Sequence, residues 1–309
     1  MSMTRYALRR LLMTIPTVLA VTVLVFLMLQ LVPGDPAAVF LGEKRSTPEL
    51  LAQVRHDMGL DRPLYVQYFS YLAGLAGGDF GKSLFNRQPV LEQILSALPP
   101  TLELALTALL ISTVLGVALG ILSALKHNTW IDSLSMGFAL IGVSMPVFWM
   151  GLLFILVFSV RLRWFPPMGN GGLDRLALPA LALGLLSSAT LARVVRSSML
   201  DVLSEDYVRT ARAKGLRERG VIVRHALRNA LIPAITVLGL QFGALLSGAV
   251  ITETIFARKG LGRMYVESIL NKDITMIQGL TLMLAFWVMI TNILVDLSYA
   301  VLEPRIRYE

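Results

Sequence analysis

Apolar residues along this chain gather in six blocks, at 11–32 and at about 100–125, 134–160, 176–192, 232–252 and 276–302. The first, from Leu11 to Val32, carries no charge over 22 residues. At about 1.5 Å per helical residue it reaches roughly 33 Å, enough to cross the hydrocarbon core of a bilayer. The pattern predicts an all-α membrane protein with six transmembrane helices. Arg5, Arg9 and Arg10 precede the first block, as basic residues precede a secretory signal. The block is longer than a signal core, and Leu31-Val32-Pro33-Gly34-Asp35-Pro36 offers no small-residue cleavage site, so it reads as a retained first helix.

Residues 33 to about 98 have a different texture, mixed polar with Gly77-Gly78 and several charges. Leu64, Tyr65, Tyr68, Phe69 and Leu72 recur there at helical spacing, which predicts a partly helical segment outside the membrane. Inside the blocks, small residues recur four apart, as in Gly116/Gly120 and Gly239/Gly243, with a further small pair at Ser247/Gly248. Spacing of four places them on one helix face, where they favour close packing. Pro99-Pro100, Pro146, Pro179 and Pro233 fall at or near helix starts or inside spans. The division predicted is a first helix at 1–32, an outer segment at 33–99, and a five-helix core at 100–309 that includes a segment at 193–232.

Composition agrees with the pattern. Hydrophobic residues make up 55% and charged residues 16% of the 309, against roughly 25% charged in soluble domains. The net charge of +8 has no aromatic-interleaved basic run or zinc spacing behind it, which argues against nucleic acid. It follows the loops instead. With the N-terminus inside, segments 1–10, 126–132, 193–230 and 303–309 hold 15 Lys/Arg in 62 residues, while the opposite segments hold 13 in 106. The positive-inside rule then puts both termini in the cytoplasm, with 193–230 and its nine basic residues the decisive segment.

Little in the chain suggests catalysis. There is no cysteine, and His56, His127 and His225 are too far apart to form a ligand pair at helical spacing, so no metal site is expected. Ala76-Gly77-Gly78-Asp79-Phe80-Gly81-Lys82-Ser83 ends like a phosphate-binding loop, but Ala76 stands where that loop needs glycine and no strand leads into it. Glu103 and Asp296 are the intramembrane acids, without an evident basic partner in the sequence. Gln241, Ser247 and Asn292 are candidates to line a pathway, with hydrogen-bonded helix packing the competing role.

The informative stretch is Ser204-Glu205-Asp206-Tyr207-Val208-Arg209-Thr210-Ala211-Arg212-Ala213-Lys214-Gly215. Ser204 suits an N-cap, Glu205 and Asp206 a first turn, Arg212 and Lys214 a last turn, and Gly215 a left-handed C′ residue. A short helix over about 205–214 is predicted, with Tyr207, Val208 and Ala211 on one face. A basic helix from Arg217 to Asn229 follows, making a helix–Gly–helix hairpin between two spans. Such a hairpin suits either docking of a partner or an interfacial position on anionic lipid.

The stretch from Tyr207 to Pro233, YVRTARAKGLRERGVIVRHALRNALIP, resembles the cytoplasmic coupling motif of ABC importer permeases of the peptide, nickel and glutathione subfamily. LVPGDP at 31–36, GDFGKS at 78–83, TETIFARKGLGR at 252–263 and NILVDLSYAVLEPRIRY at 292–308 fit the same subfamily, so the resemblance covers essentially the full length. Arg209, Thr210 and Ala211 fall where the general EAA motif has Glu-Ala-Ala, and Gly215 falls on its glycine. The glutamate is absent at that position, and Pro233 comes 18 residues after Gly215, later than in the general motif.

The resemblance implies a type I ABC importer permease fold with a cytoplasmic coupling-helix hairpin, in a bacterial or archaeal cytoplasmic membrane, the chain being the first permease of a pair. It implies a second homologous permease, two cytoplasmic ATPases carrying ATP and magnesium, and a periplasmic or lipid-anchored binding protein. The cargo would be di- or oligopeptides or a related solute such as glutathione or a metal chelate, moved by alternating access. No catalytic residue or cofactor is expected in this chain. Glu205, Asp206, Tyr207, Arg209, Thr210, Ala211, Lys214 and Gly215 are the implied ATPase-coupling residues. The competing readings are a stand-alone secondary carrier or channel, and a non-transporting anchor or sensor subunit.

Overall fold

The computed structural model describes residues 3–31, 37–38, 47–57 and 59–302. Most of LVPGDP, residues 303–308 of the closing motif, and the side chains of Ser247 and Asp296 lie outside what is described. The helices are α1 (Met3–Leu31), α2 (Pro48–Asp57), α3 (Leu64–Ala76), α4 (Val90–Leu125), α5 (Trp130–Ser144), α6 (Val147–Arg161, π-helical from Ile155), α7 (Leu173–Ser204), α8 (Asp206–Ala213), α9 (Glu218–Ala230, π-helical over Val221–Ala226), α10 (Ile232–Ile255), α11 (Leu261–Leu270) and α12 (Ile274–Leu302). Four of them, α1, α4, α7 and α12, are long and apolar enough to cross a membrane alone. Two bent pairs, α5 with α6 and α9 with α10, raise the candidate spans among the described residues from four to as many as six when each pair is taken as one span.

The break between α5 and α6 has a local cause. Pro146 has no N–H to donate, and it pushes Met145 out of the helical region to φ −92, ψ 129. Pro99 and Pro100 lie inside a helix, since α4 begins at Val90 and runs through both.

The chain divides into two compact units. The first comprises residues 100–262 and 290–309. Its centre is α7, flanked by α4, α5, α6 and α10. The helices approach closely because glycine faces backbone: a Cβ on Gly116 would lie 2.9 Å from the Ser188 carbonyl, one on Gly120 2.7 Å from the Ala192 carbonyl, and one on Gly142 2.9 Å from the Leu185 carbonyl. Membrane helices gain van der Waals contact by such small-residue packing, since lipid supplies no hydrophobic drive between them. Gly239 likewise meets Val295 of α12.

The second unit comprises residues 2–99 and 263–289. Tyr68 and Tyr71 of α3 pack on Phe26 of α1, ring centroids 5.4 and 5.9 Å apart, and the Tyr68 hydroxyl shares a 3.0 Å hydrogen bond with Thr22. Gln278 of α12 donates to the Val25 carbonyl at 2.8 Å. The GDFGKS stretch forms a tight turn here, with Gly78 and Gly81 both at φ +79. Buried Asp273 holds it, accepting from the Ser83 hydroxyl and from the backbone N–H of Leu84 at 3.0 Å. The resemblance to a phosphate-binding loop therefore ends at the letters: these groups are consumed in folding.

Candidate functional site

Helix α8 is the most self-contained element of the first unit. Ser204 is the last residue of α7, its hydroxyl donating to the Asp201 carbonyl at 2.7 Å, so it does not cap α8. Glu205 takes the N-cap place, at φ −69 and ψ 146, and makes no side-chain capping bond. The reason is competition: a serine at a helix C-terminus satisfies its hydroxyl on its own preceding turn. Asp206 opens the first turn and Arg212 sits in the last, matching the helix dipole. Lys214 is the C-cap and lies just beyond the helix.

Gly215 stands at φ +77, and a Cβ there would meet nothing within 4 Å. Its requirement is conformational, since L-residues other than Asn and Asp rarely adopt this region. The turn sends the chain back into α9. Across it, Arg212 reaches Glu218 with Nη2–Oε1 at 2.8 Å and Nε–Oε2 at 3.2 Å, a two-pronged pair that holds the Arg212 guanidinium above its ordinary pKa.

Val208 and Ala211 bury one side of α8 against Val221 of α9, with Val202 and Leu203 of α7 alongside. Full burial of a valine is worth roughly 1.5–3 kcal/mol. Tyr207 sits beside this face but is exposed, and its hydroxyl accepts from Asn229 Nδ2 at 2.8 Å. Of the eight residues implied in coupling, Ala211 alone is buried, and Glu205, Asp206, Tyr207, Arg209, Thr210, Lys214 and Gly215 are exposed. Arg209 lies 3.7 Å from Asp206 one turn earlier, and the Thr210 hydroxyl donates to the Asp206 carbonyl at 2.9 Å. The hairpin is thus pinned from behind and bare in front.

A charged knot ties the start of α5 to α7. Buried Asp132 accepts from Arg196 Nε at 2.9 Å, Arg196 Nη2 at 2.8 Å, the Ser123 hydroxyl and the Asn128 N–H. His127 Nδ1 lies 3.0 Å from Arg196 Nη2 and 3.2 Å from Asp132 Oδ2. It either accepts from the arginine or, with a proton there, donates to the carboxylate. Sequence reasoning missed this knot, since 64 residues separate the two principal partners.

The acids inside the spans also differ from expectation. Glu103 does have a basic partner: fully buried Arg258 donates to it at 3.0 Å from the loop after α10. Arg258 Nε and Nη1 have no hydrogen-bond partner among the described residues. Glu253, also fully buried, accepts from the Thr101 hydroxyl at 2.6 Å and the Gly262 N–H at 2.8 Å. Its carboxylate fills the place a Cβ on Gly260 would take, which accounts for glycine in the KGLG stretch.

Of the pathway candidates, Gln241 is hydrogen-bonded at both amide atoms, donating to the Ser187 carbonyl at 2.8 Å and accepting from Ser112 at 3.3 Å. It bridges α4, α7 and α10. Asn292 is exposed on α12.

Comparison with known proteins follows the same lines. Residues 116–308 match the family described as binding-protein-dependent transport system inner membrane component, and residues 3–105 match its N-terminal companion. The chain is 45% identical over 307 residues, 99% of its own length and 100% of the relative's, to the glutathione transport system permease protein GsiC of Salmonella typhimurium. It is 44% identical over the same span to the protein of that name from Escherichia coli (strain K12). In fold, it is similar to an inward-facing form of the MetNI methionine ABC transporter, at TM-score 0.60 and 16% identity over 68% of this chain and 96% of that one. An amino acid ABC transporter is similar at TM-score 0.53 and 16% identity, over 67% and 92%. The chain belongs to the binding-protein-dependent transport inner membrane family and is a multi-pass permease subunit of an ABC importer.

Proposed function

We propose that this permease moves glutathione or short peptides of similar size inward, and that α8 is the lever through which two partner ATPases drive it. The observation that carries the lever is the one-sided construction of the hairpin. Val208 and Ala211 are buried behind it, Arg212 and Glu218 close its turn, and seven of the eight coupling residues face outward. A rigid element with a bare polar face transmits force to its own spans while docking a partner. The basic loops support cytoplasmic N- and C-termini, with α8 on the same side.

A second homologous permease and a binding protein complete the assembly in this reading, with ATP and magnesium on the ATPases. The glutathione assignment is supported by the names of the relatives. Peptides and metal chelates remain in the test because the binding protein sets much of the selectivity in this reading.

The test is uptake into liposomes holding the permease with its genomic partners, from a pool of glutathione, dipeptides, longer peptides and nickel chelates read by mass spectrometry. Glutathione is expected to accumulate only with ATP and binding protein. Uptake by this chain alone under an ion gradient would overturn the reading in favour of a secondary carrier.

A further inference from the structure

The second unit contains two cavities, of about 280 and 310 Å³, that share Phe80 and Leu282 as walls. The smaller is polar-mouthed, with Arg62, Asp79, Tyr71 and Gln278 on its lining. The larger is almost wholly apolar, lined by Val18, Val21, Met283, Phe286 and Met289. They adjoin at Phe80 and Leu282, and their linings follow one another in the same order on both helices. On α1 the lining passes from Leu29 and Phe26 at the polar cavity to Val21 and Val18 at the apolar one. On α12 it passes from Gln278 to Leu282 and then to Phe286 and Met289.

The dimensions select an occupant. Leu29 to Val18 is eleven helical residues, roughly 16 Å, close to half of a hydrocarbon core about 30 Å thick. One leaflet's acyl chain fits that length. Among the described residues the mouth carries one cation, Arg62, and one carboxylate, Asp79, whose Oδ1 accepts from the Gly81 N–H at 2.8 Å; the Tyr71 hydroxyl is buried in the wall with no hydrogen-bond partner among the described residues. Burial pushes that phenol up to about 12, so it remains a donor. A helix of a second permease would match the apolar floor but would leave the charged mouth without a counterpart. A phospholipid matches both.

We propose that this groove seats one zwitterionic phospholipid, its phosphate held by Arg62, its ammonium by Asp79, and an acyl chain laid between α1 and α12. The site is independent of the transported solute and of α8. It lies in the leaflet at the Leu31 end of α1.

The permease purified with its partner subunits, in nanodiscs of phosphatidylethanolamine containing a trace carrying a tail diazirine, tests this by photolabelling and peptide mapping. Label is expected to concentrate on 18–26 and 282–289, above the level at the exposed apolar residues Leu106, Leu110 and Phe138. Arg62→Glu alters an exposed side chain and leaves the fold intact, and Ala285→Phe fills the groove from the other end. Each is expected to lower label at the groove about tenfold, the loss of one decade in affinity, with the reference positions unchanged. Uniform labelling that neither variant alters would overturn the proposal. Label at the reference positions with none on 18–26 or 282–289 would overturn it too, since the groove would then be closed to lipid.

Discussion

Arg212 and Glu218 face one another across Gly215, joined by contacts of 2.8 and 3.2 Å, so the two arms of the hairpin are stapled at the point where the chain reverses. Both side chains are substantially exposed, so solvent screening leaves the pair little weight in stability. Its value lies in direction, since it fixes the angle at which α8 leaves α9. Arg212→Glu is expected to lower ATP-dependent uptake several-fold without changing the amount of protein in the membrane. The exchange Arg212→Glu with Glu218→Arg is expected to restore most of it. Uptake by the double variant no better than by the single would show that Arg212 acts on a partner and not on Glu218.

Gly215 gives a sharper test of the hairpin. Space is not its constraint, because a Cβ there meets nothing within 4 Å; the φ of +77 is. Gly215→Val is expected to abolish transport while membrane insertion persists, since a β-branched residue is strongly penalised in this region. Gly215→Asn is expected to keep much of the activity, because asparagine tolerates left-handed backbone. Equal loss in both, measured as uptake per inserted permease, would point to the surface and not the turn.

How far the sequence could be read depended on the range of each interaction. The left-handed Gly215 and the short helix α8 follow from neighbours within a few residues and were legible, whereas α11, the break at Met145 and the start of α4 at Val90 were not. The Ser204 cap was read wrongly because one hydroxyl had two nearby destinations, and the end of α7 took it. The partner of Glu103 is not legible in the sequence, because Arg258 is 155 residues away in a loop after another span. The Asp132–Arg196 knot was hidden for the same reason. Pairings of that kind depend on how helices stack, which periodicity does not encode.

The knot should govern stability more than mechanism. Asp132 is nearly buried and takes both prongs of Arg196. Asp132→Asn leaves the Arg196 charge uncompensated, but that side chain is 26% exposed, so the cost falls below the roughly 3–5 kcal/mol of a fully buried pair. Asp132→Asn is expected to lower the Tm of the purified permease clearly. Arg196→Lys is expected to lower it as well, since a lysine cannot make the two-pronged contact. An unchanged Tm in both would mean that solvent reaches the site and screens it.

Helix packing offers a comparison in which glycine differs only in its surroundings. A Cβ on Gly120 would lie 2.7 Å from the Ala192 carbonyl and 2.7 Å from Val195 Cβ, whereas one on Gly137 meets nothing within 4 Å. Both residues are inside helices, so alanine brings each the same propensity gain of about 1 kcal/mol. At Gly137 nothing opposes that gain, and Gly137→Ala is expected to leave the Tm unchanged or raise it slightly. At Gly120 the backbone of α7 must move away from α4, and overpacking of this kind costs roughly 1–3 kcal/mol. Gly120→Ala is therefore expected to lower the Tm, and Gly120→Leu to lower it further with reduced recovery of folded permease. The same Tm in Gly120→Ala and Gly137→Ala, read side by side in one detergent, would mean that α4 and α7 are not in backbone contact in the assembled permease.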